Sequence, residues 1–153
     1  MIRRITRPFL ELLRQGIAPE KIALTIALGL ALGVTPVLGS TTLLCTLAAA
    51  ALGLNLPAIQ LVNALAYPLQ LALIVPFLRA GAWLFGAPLL PLTVTALFAR
   101  IRADVWHAVA TLWGATLHAL LAWLVCAALG SALVYGVTLP LLRRAWRRQV
   151  LAS

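Results

Sequence analysis

Acidic residues are nearly missing from this chain, and charge of either sign is missing from most of its length. Only Glu11, Glu20 and Asp104 carry carboxylates among 153 residues. No Asp, Glu, Lys or Arg occurs from Ile22 to Leu78, and none from Val105 to Leu142. The charged fraction is 10% against an apolar fraction of 63%, and the mean hydropathy is +1.05. A soluble domain usually draws about a quarter of its residues from the charged types. This chain cannot cover a domain-sized surface in that way, so lipid is the expected solvent for much of it. The shortage of acids also removes any carboxylate pair for general acid–base work inside the uncharged runs. Proton- or sodium-driven pumping rests on buried ionisable groups, which leaves such a role to His118 alone.

Cysteine is scarce too. Cys45 and Cys126 have neither the spacing of a zinc site nor that of a secreted disulfide framework, and read as small packing residues. No Cys/His cluster offers a metal site, and no glycine loop with lysine marks a nucleotide. These absences predict a protein that is not an enzyme and has no metal and no cofactor.

What is present is length, apolar text and cations. The 153 residues suit one domain. A helical crossing needs about 20 apolar residues, and both uncharged runs exceed that. Twelve Lys and Arg give a net charge of +9, but they crowd the two ends. Arg3, Arg4, Arg7, Arg14 and Lys21 precede the first run, Arg143, Arg144, Arg147 and Arg148 follow the last, and Arg79, Arg100 and Arg102 lie between. Nucleic-acid binding would need a solvated basic face and is not expected. The pattern predicts contact with anionic head groups, with both termini cytoplasmic. Ile22–Val34 has the length of a signal-peptide core, but Glu11 and Glu20 precede it and apolar text continues well past it, so cleavage is not expected.

Along the chain, residues 1–16 read as a basic amphipathic helix at the membrane surface, with Ile5, Phe9, Leu12 and Leu13 on one face. Pro19 and Glu20 open a helix to about Val34. The segment "GVTPVLGSTT", Gly33 to Thr42, then breaks it: Pro36 disfavours the α conformation at Thr35, and Gly39 permits a sharp reversal. Ser40 is placed to cap a second helix from Thr41 to about Leu54, and Asn55 to cap a third that Pro57 begins. Residues 19–54 thus form a broken pair of helices, each shorter than the roughly 30 Å hydrocarbon core. Two arrangements satisfy this: a re-entrant hairpin turning inside the membrane, or two short spanning helices with an external turn. In the first, backbone groups at the break need partners that lipid does not supply, and the hydroxyls of Thr35, Ser40, Thr41 and Thr42 are candidates.

Residues 56–86 are long enough to cross, with Pro68 and Pro76 as interruptions. Residues 93–103 read as a short interfacial helix. Asp104 can cap a last helix over 105–137, with Pro140 and the basic tail, 141–153, ending it. Two patterns stand out in this text. Gln60, Asn63, Tyr67 and Gln70, at steps of three, four and three, share one helical face. That face is either a ligand or permeation surface or interhelical hydrogen-bond glue, worth about 0.6 kcal/mol per contact. Thr111, Ala115, Ala119, Ala122, Cys126 and Gly130 form a stripe of small residues that admits another helix closely, from this chain, a second copy or another membrane protein. His118 borders the stripe and reads as a packing histidine, and His107 as interfacial.

The segments "APEKIALTIALGLALGVTPVLGSTT" and "LNLPAIQLVNALAYPLQ" resemble the bacterial membrane family called domain of unknown function 2062. Gly29, Gly33, Pro36, Gly39, Asn55 and Pro68 carry the likeness, with Gly81 and Trp83 in a later segment, over about Gly16 to Gly86. Many relatives have Asn-Pro-Leu-Thr where this chain reads Tyr67-Pro68-Leu69-Gln70, which marks a divergent subgroup. The resemblance implies an integral protein of the bacterial inner membrane and implies no activity.

The expectation is an all-α, polytopic membrane protein with Pro/Gly-broken short helices and basic interfacial ends. Two functions fit: a non-catalytic scaffold or accessory module of the envelope, and a small oligomeric transporter or channel for a polar solute.

Overall fold

A computed structural model of the chain describes residues 17–87, 102 and 104–150. The basic segment 1–16 and most of the interfacial segment 93–103 lie outside the described residues. Among the described residues four helices are delimited: α1 Pro19–Gly33, α2 Thr41–Leu52, α3 Leu56–Leu84 and α4 Val105–Val150. No strand occurs among the described residues.

α1, α3 and α4 pack mutually, and α2 lies against α1 and α3. Lys21 Nζ donates to Gly53 O at 3.0 Å, so the start of α1 and the end of α2 lie at one end of the bundle. Arg143 reaches the same end, where its Nε and Nη2 donate to Glu20 Oε1 at 3.0 and 2.8 Å. α1 and α2 are therefore the two arms of a hairpin, and α3 and α4 run past its tip. Cys45, Ala49, Leu54 and Ile59 form the buried centre of the hairpin side.

Close approach of α1 to α3 depends on glycine. A Cβ at Gly29 would stand 2.8 Å from Val62 Cβ, and one at Gly33 would stand 2.9 Å from Ala66 Cβ. The four-residue spacing of the two glycines puts both on the face toward α3, as in other small-xxx-small contacts. A third close approach joins α3 to α4, where a Cβ at Gly81 would lie 2.5 Å from the His118 carbonyl carbon.

Two expectations from proline are corrected. Pro68 and Pro76 lie inside a continuous α3, and α4 does not end near Val137 but runs through Pro140 to Val150. Proline forfeits one backbone hydrogen bond. Ending the helix there would leave up to four carbonyls without intrahelical partners, which is the larger cost.

The apolar surface faces outward. Trp83 and Trp106 are 83% and 84% exposed, and Leu129 and Leu133 are both 69% exposed. α3 and most of α4 are long and apolar enough to cross a membrane. In the most apolar part of α4 only 6% of residues are buried, whereas a core helix of a soluble protein would be largely enclosed.

Candidate functional site: the sealed helix break

α1 ends at Gly33 because the next residues cannot continue it. Val34 N still donates to Leu30 O, but Thr35 N turns to Leu32 O at 3.2 Å, and Pro36 has no N–H to offer. Ala31 O thereby loses its ordinary donor four residues on. The Trp123 indole Nε1 of α4 supplies the replacement at 3.0 Å. Thr35 Oγ1 adds a second donor to Leu32 O at 2.6 Å. Thr35 O in turn accepts from Gln70 Nε2 of α3 at 2.8 Å. Gln70 is 1% exposed and Thr35 2%, so this bond is shielded from competing donors. The reversal is completed at Gly39, whose φ of +86° suits glycine.

Ser40 departs from its expected role. Its side chain makes no cap to α2 and instead donates from Oγ to Val37 O at 2.9 Å. With φ −79° and ψ −22° the residue is already helical, and a cap needs an extended conformation to turn its oxygen toward the following N–H groups. Asn55 does cap: its Oδ1 accepts from Ala58 N at 2.9 Å. Asp104 Oδ1 accepts from His107 N at 3.1 Å at the head of α4. Thr41 is buried at the first position of α2.

The four polar residues of α3 divide. Gln60 Nε2 donates to Thr42 O and to Thr46 Oγ1, both at 3.0 Å, and Asn63 Nδ2 donates to Gln60 Oε1 at 3.2 Å. With Gln70 on Thr35, three of the four are engaged in tying α3 to the hairpin or to one another. Tyr67 is not among them and is 54% exposed. It shares their angular position but not their height. α2 begins at Thr41, beside Gln60, and Tyr67 lies about 10 Å further along α3, where no part of α2 covers it. Pro68 neighbours it on an exposed part of the helix.

The small-residue stripe of α4 also divides. Ala119 and Ala122 are buried at 0% and 6%, Thr111, Ala115 and Gly130 are partly covered, and Cys126 is exposed. A cleft of about 180 Å³ is lined by Ala27, Leu30 and Ala31 of α1, Phe77 of α3, and Cys126 and Gly130 of α4. His118 stands apart from the break, beside Gly81 near the end of α3, and its ring stacks on Phe85 at 4.5 Å and 15°. Among the described residues no group of three or more His, Cys, Asp or Glu comes together.

Trp123 was not singled out as a site residue from sequence, and Gly33, read there as part of the helix break, also packs with Gly29 against α3. The Gly29–Gly33 pair carries its own signal, a four-residue spacing facing α3. Trp123 carries none, since nothing local says its indole will meet a carbonyl 92 residues away.

At the charged end, the Glu20 carboxyl is held below its ordinary value of 4.5, first by a hydrogen bond from its own backbone N–H and then by Arg143. A carboxyl lowered in the folded state contributes stability above its unfolded pKa and loses it as pH falls through the folded one. With three acids in the chain, thermal unfolding in detergent should show a small loss of stability below about pH 4.5. Glu20→Gln should flatten that limb; an unchanged limb would place the titration elsewhere.

These features define an all-helical protein in which a short hairpin is tied by its tip to two long apolar helices. The chain belongs to the bacterial family described as "Uncharacterized protein conserved in bacteria (DUF2062)", which matches residues 2–150. No curated protein and no solved structure matches the chain.

Proposed function

We propose that the protein is a multi-pass component of the bacterial inner membrane with both termini cytoplasmic, acting as a non-catalytic scaffold or accessory module of the envelope. In this reading α3 and α4 cross, and α1 and α2 enter and leave on the cytoplasmic side as a re-entrant hairpin. The height of the tip supports it. Gln70, the central residue of the 29 in α3, holds Thr35, and Trp123, about midway between Val105 and Arg143, holds Ala31. If α3 spans the hydrocarbon, the turn lies near its middle. Lys21, Arg143, Arg144 and Arg147 gather at the opposite end from Arg79 and Arg102, which supports the cytoplasmic assignment of the hairpin's open end.

The observation that carries the scaffold reading is the use of the polar groups. Gln60, Asn63, Gln70 and Trp123 are occupied in sealing the break and joining helices, and the cleft beside them is apolar apart from Ser131. Such bonds build a rigid body on which partners can assemble. The transporter reading draws on Tyr67 and Thr42, both exposed on the hairpin side of α3 at different heights, which an oligomer could enclose around a polar path.

Cysteines placed singly at Gly39, Ser40, Asn63 and Tyr67, in a chain without Cys45 and Cys126, test this with a membrane-impermeant thiol reagent. All four should stay unlabelled. Labelling at Asn63 and Tyr67 would instead establish a water path, and labelling at Gly39 and Ser40 alone an external turn.

A further inference from the structure

At the charged end of the bundle a cavity of about 480 Å³ opens between the start of α1 and the turn joining α2 to α3. Its wall combines Lys21, Thr25 and Asn55 with the apolar side chains of Ile17, Ile22 and Leu54. Two of these polar groups have donors left to offer a ligand. Lys21 gives one of its three N–H bonds to Gly53 O and is otherwise exposed. Asn55 commits its Oδ1 to the α3 cap, which leaves its amide N–H₂ as the group on offer. The Thr25 hydroxyl gives its hydrogen to Lys21 O and is buried, so it adds no donor to the site. None of the described lining residues is acidic, and the neighbouring Glu20 is turned to Arg143. A recess that offers one ammonium and one amide N–H₂, with no acid among its described lining residues, selects an anion. Its apolar wall suits the carbon that surrounds a phosphodiester better than it suits a hydrated free ion.

We propose that this cavity binds the phosphate of an anionic phospholipid, with Lys21 as the charged contact, Asn55 as the second donor, and the partly exposed Ile17 against the glycerol and upper acyl carbons. The proposal rests on the membrane reading above, which would place the cavity at head-group level. It assigns one lipid to one site, beyond the general attraction of a basic protein to an anionic surface.

Native mass spectrometry of the full chain tests it, with phosphatidylglycerol and phosphatidylcholine of identical acyl chains as probes and inorganic phosphate as competitor. The wild type should retain phosphatidylglycerol over phosphatidylcholine. Arg144→Ala removes an exposed cation outside the cavity and should weaken that retention about fivefold, the ordinary loss for one cation at an anionic surface. Lys21→Ala should weaken it by more than about tenfold, because a charge-assisted hydrogen bond is lost as well. Lys21→Arg should retain binding. Lys21→Gln, which keeps a donor toward Gly53 but no charge, should lose it without loss of thermal stability. Equal losses in Lys21→Ala and Arg144→Ala would overturn the site. Displacement of the lipid by millimolar inorganic phosphate would overturn the lipid assignment in favour of free phosphate. A chain that stays in the membrane fraction but shows no lipid preference refutes this proposal alone, whereas a chain soluble without detergent refutes the membrane reading first.

Discussion

Gly81→Ala is expected to destabilise the protein by about 3 kcal/mol, the upper part of the range for overpacking a filled site. The added methyl would sit 2.5 Å from the His118 carbonyl carbon, 2.6 Å from its oxygen and 2.7 Å from Ala119 N. All three are backbone atoms of α4, so no side chain can rotate away, and the crossing itself must widen. Ala119, fully buried at this crossing, would lose its contacts as the helices part. Gly136→Ala is the internal comparison: nothing lies within 4 Å of a Cβ there, and the exchange should stabilise α4 by up to about 1 kcal/mol through helix propensity. Unfolding in detergent micelles, followed by tryptophan fluorescence, reads both. Equal stability of the two variants would mean that α3 and α4 do not meet at Gly81.

Gln70→Leu should cost about 1–3 kcal/mol for a different reason, the orphaning of a buried acceptor. Leucine fills a similar volume but leaves Thr35 O without its 2.8 Å donor. The neighbouring Pro36 cannot replace it, having no N–H. The damage should be local. A cysteine at Gly39 in the Gln70→Leu background should become reactive to thiol reagents while the α3–α4 crossing at Gly81 holds. If instead stability and reactivity stay at wild-type levels, the tip is held by something other than this amide.

The difference between these two sites shows what could be read in advance. The hairpin's break was legible because its cause is local: proline and a positive-φ glycine act on their own neighbours wherever the chain goes. The Asn55 cap was legible on the same ground. The prolines of α3 and α4 were misread because the cost of a proline was weighed without the cost of the alternative. In apolar surroundings a broken helix strands more backbone than a bent one. Tyr67 fell outside the polar group because angular position follows from spacing, whereas height against a neighbouring helix depends on where that neighbour starts. The stripe on α4 had the same defect: spacing identified its side, but whether each member meets a partner depends on what stands opposite it, and Cys126 borders a cleft. Gln70 and Trp123 both serve carbonyls on α1 or just past its end, and only the folded arrangement brings donor and acceptor together.

The unequal reach of the helices has a mechanical result. The four described helices meet at the end marked by Lys21 and Arg143, and among the described residues only α3 and α4 continue beyond Gly39. Set in a bilayer, such a body tapers, displacing more lipid from one leaflet than from the other. Bending the sheet so that the crowded leaflet becomes convex relieves the taper, and bending it the other way squeezes the hairpin against its neighbours. Local curvature would then act on the same Thr35–Gln70 and Ala31–Trp123 ties that keep the tip closed.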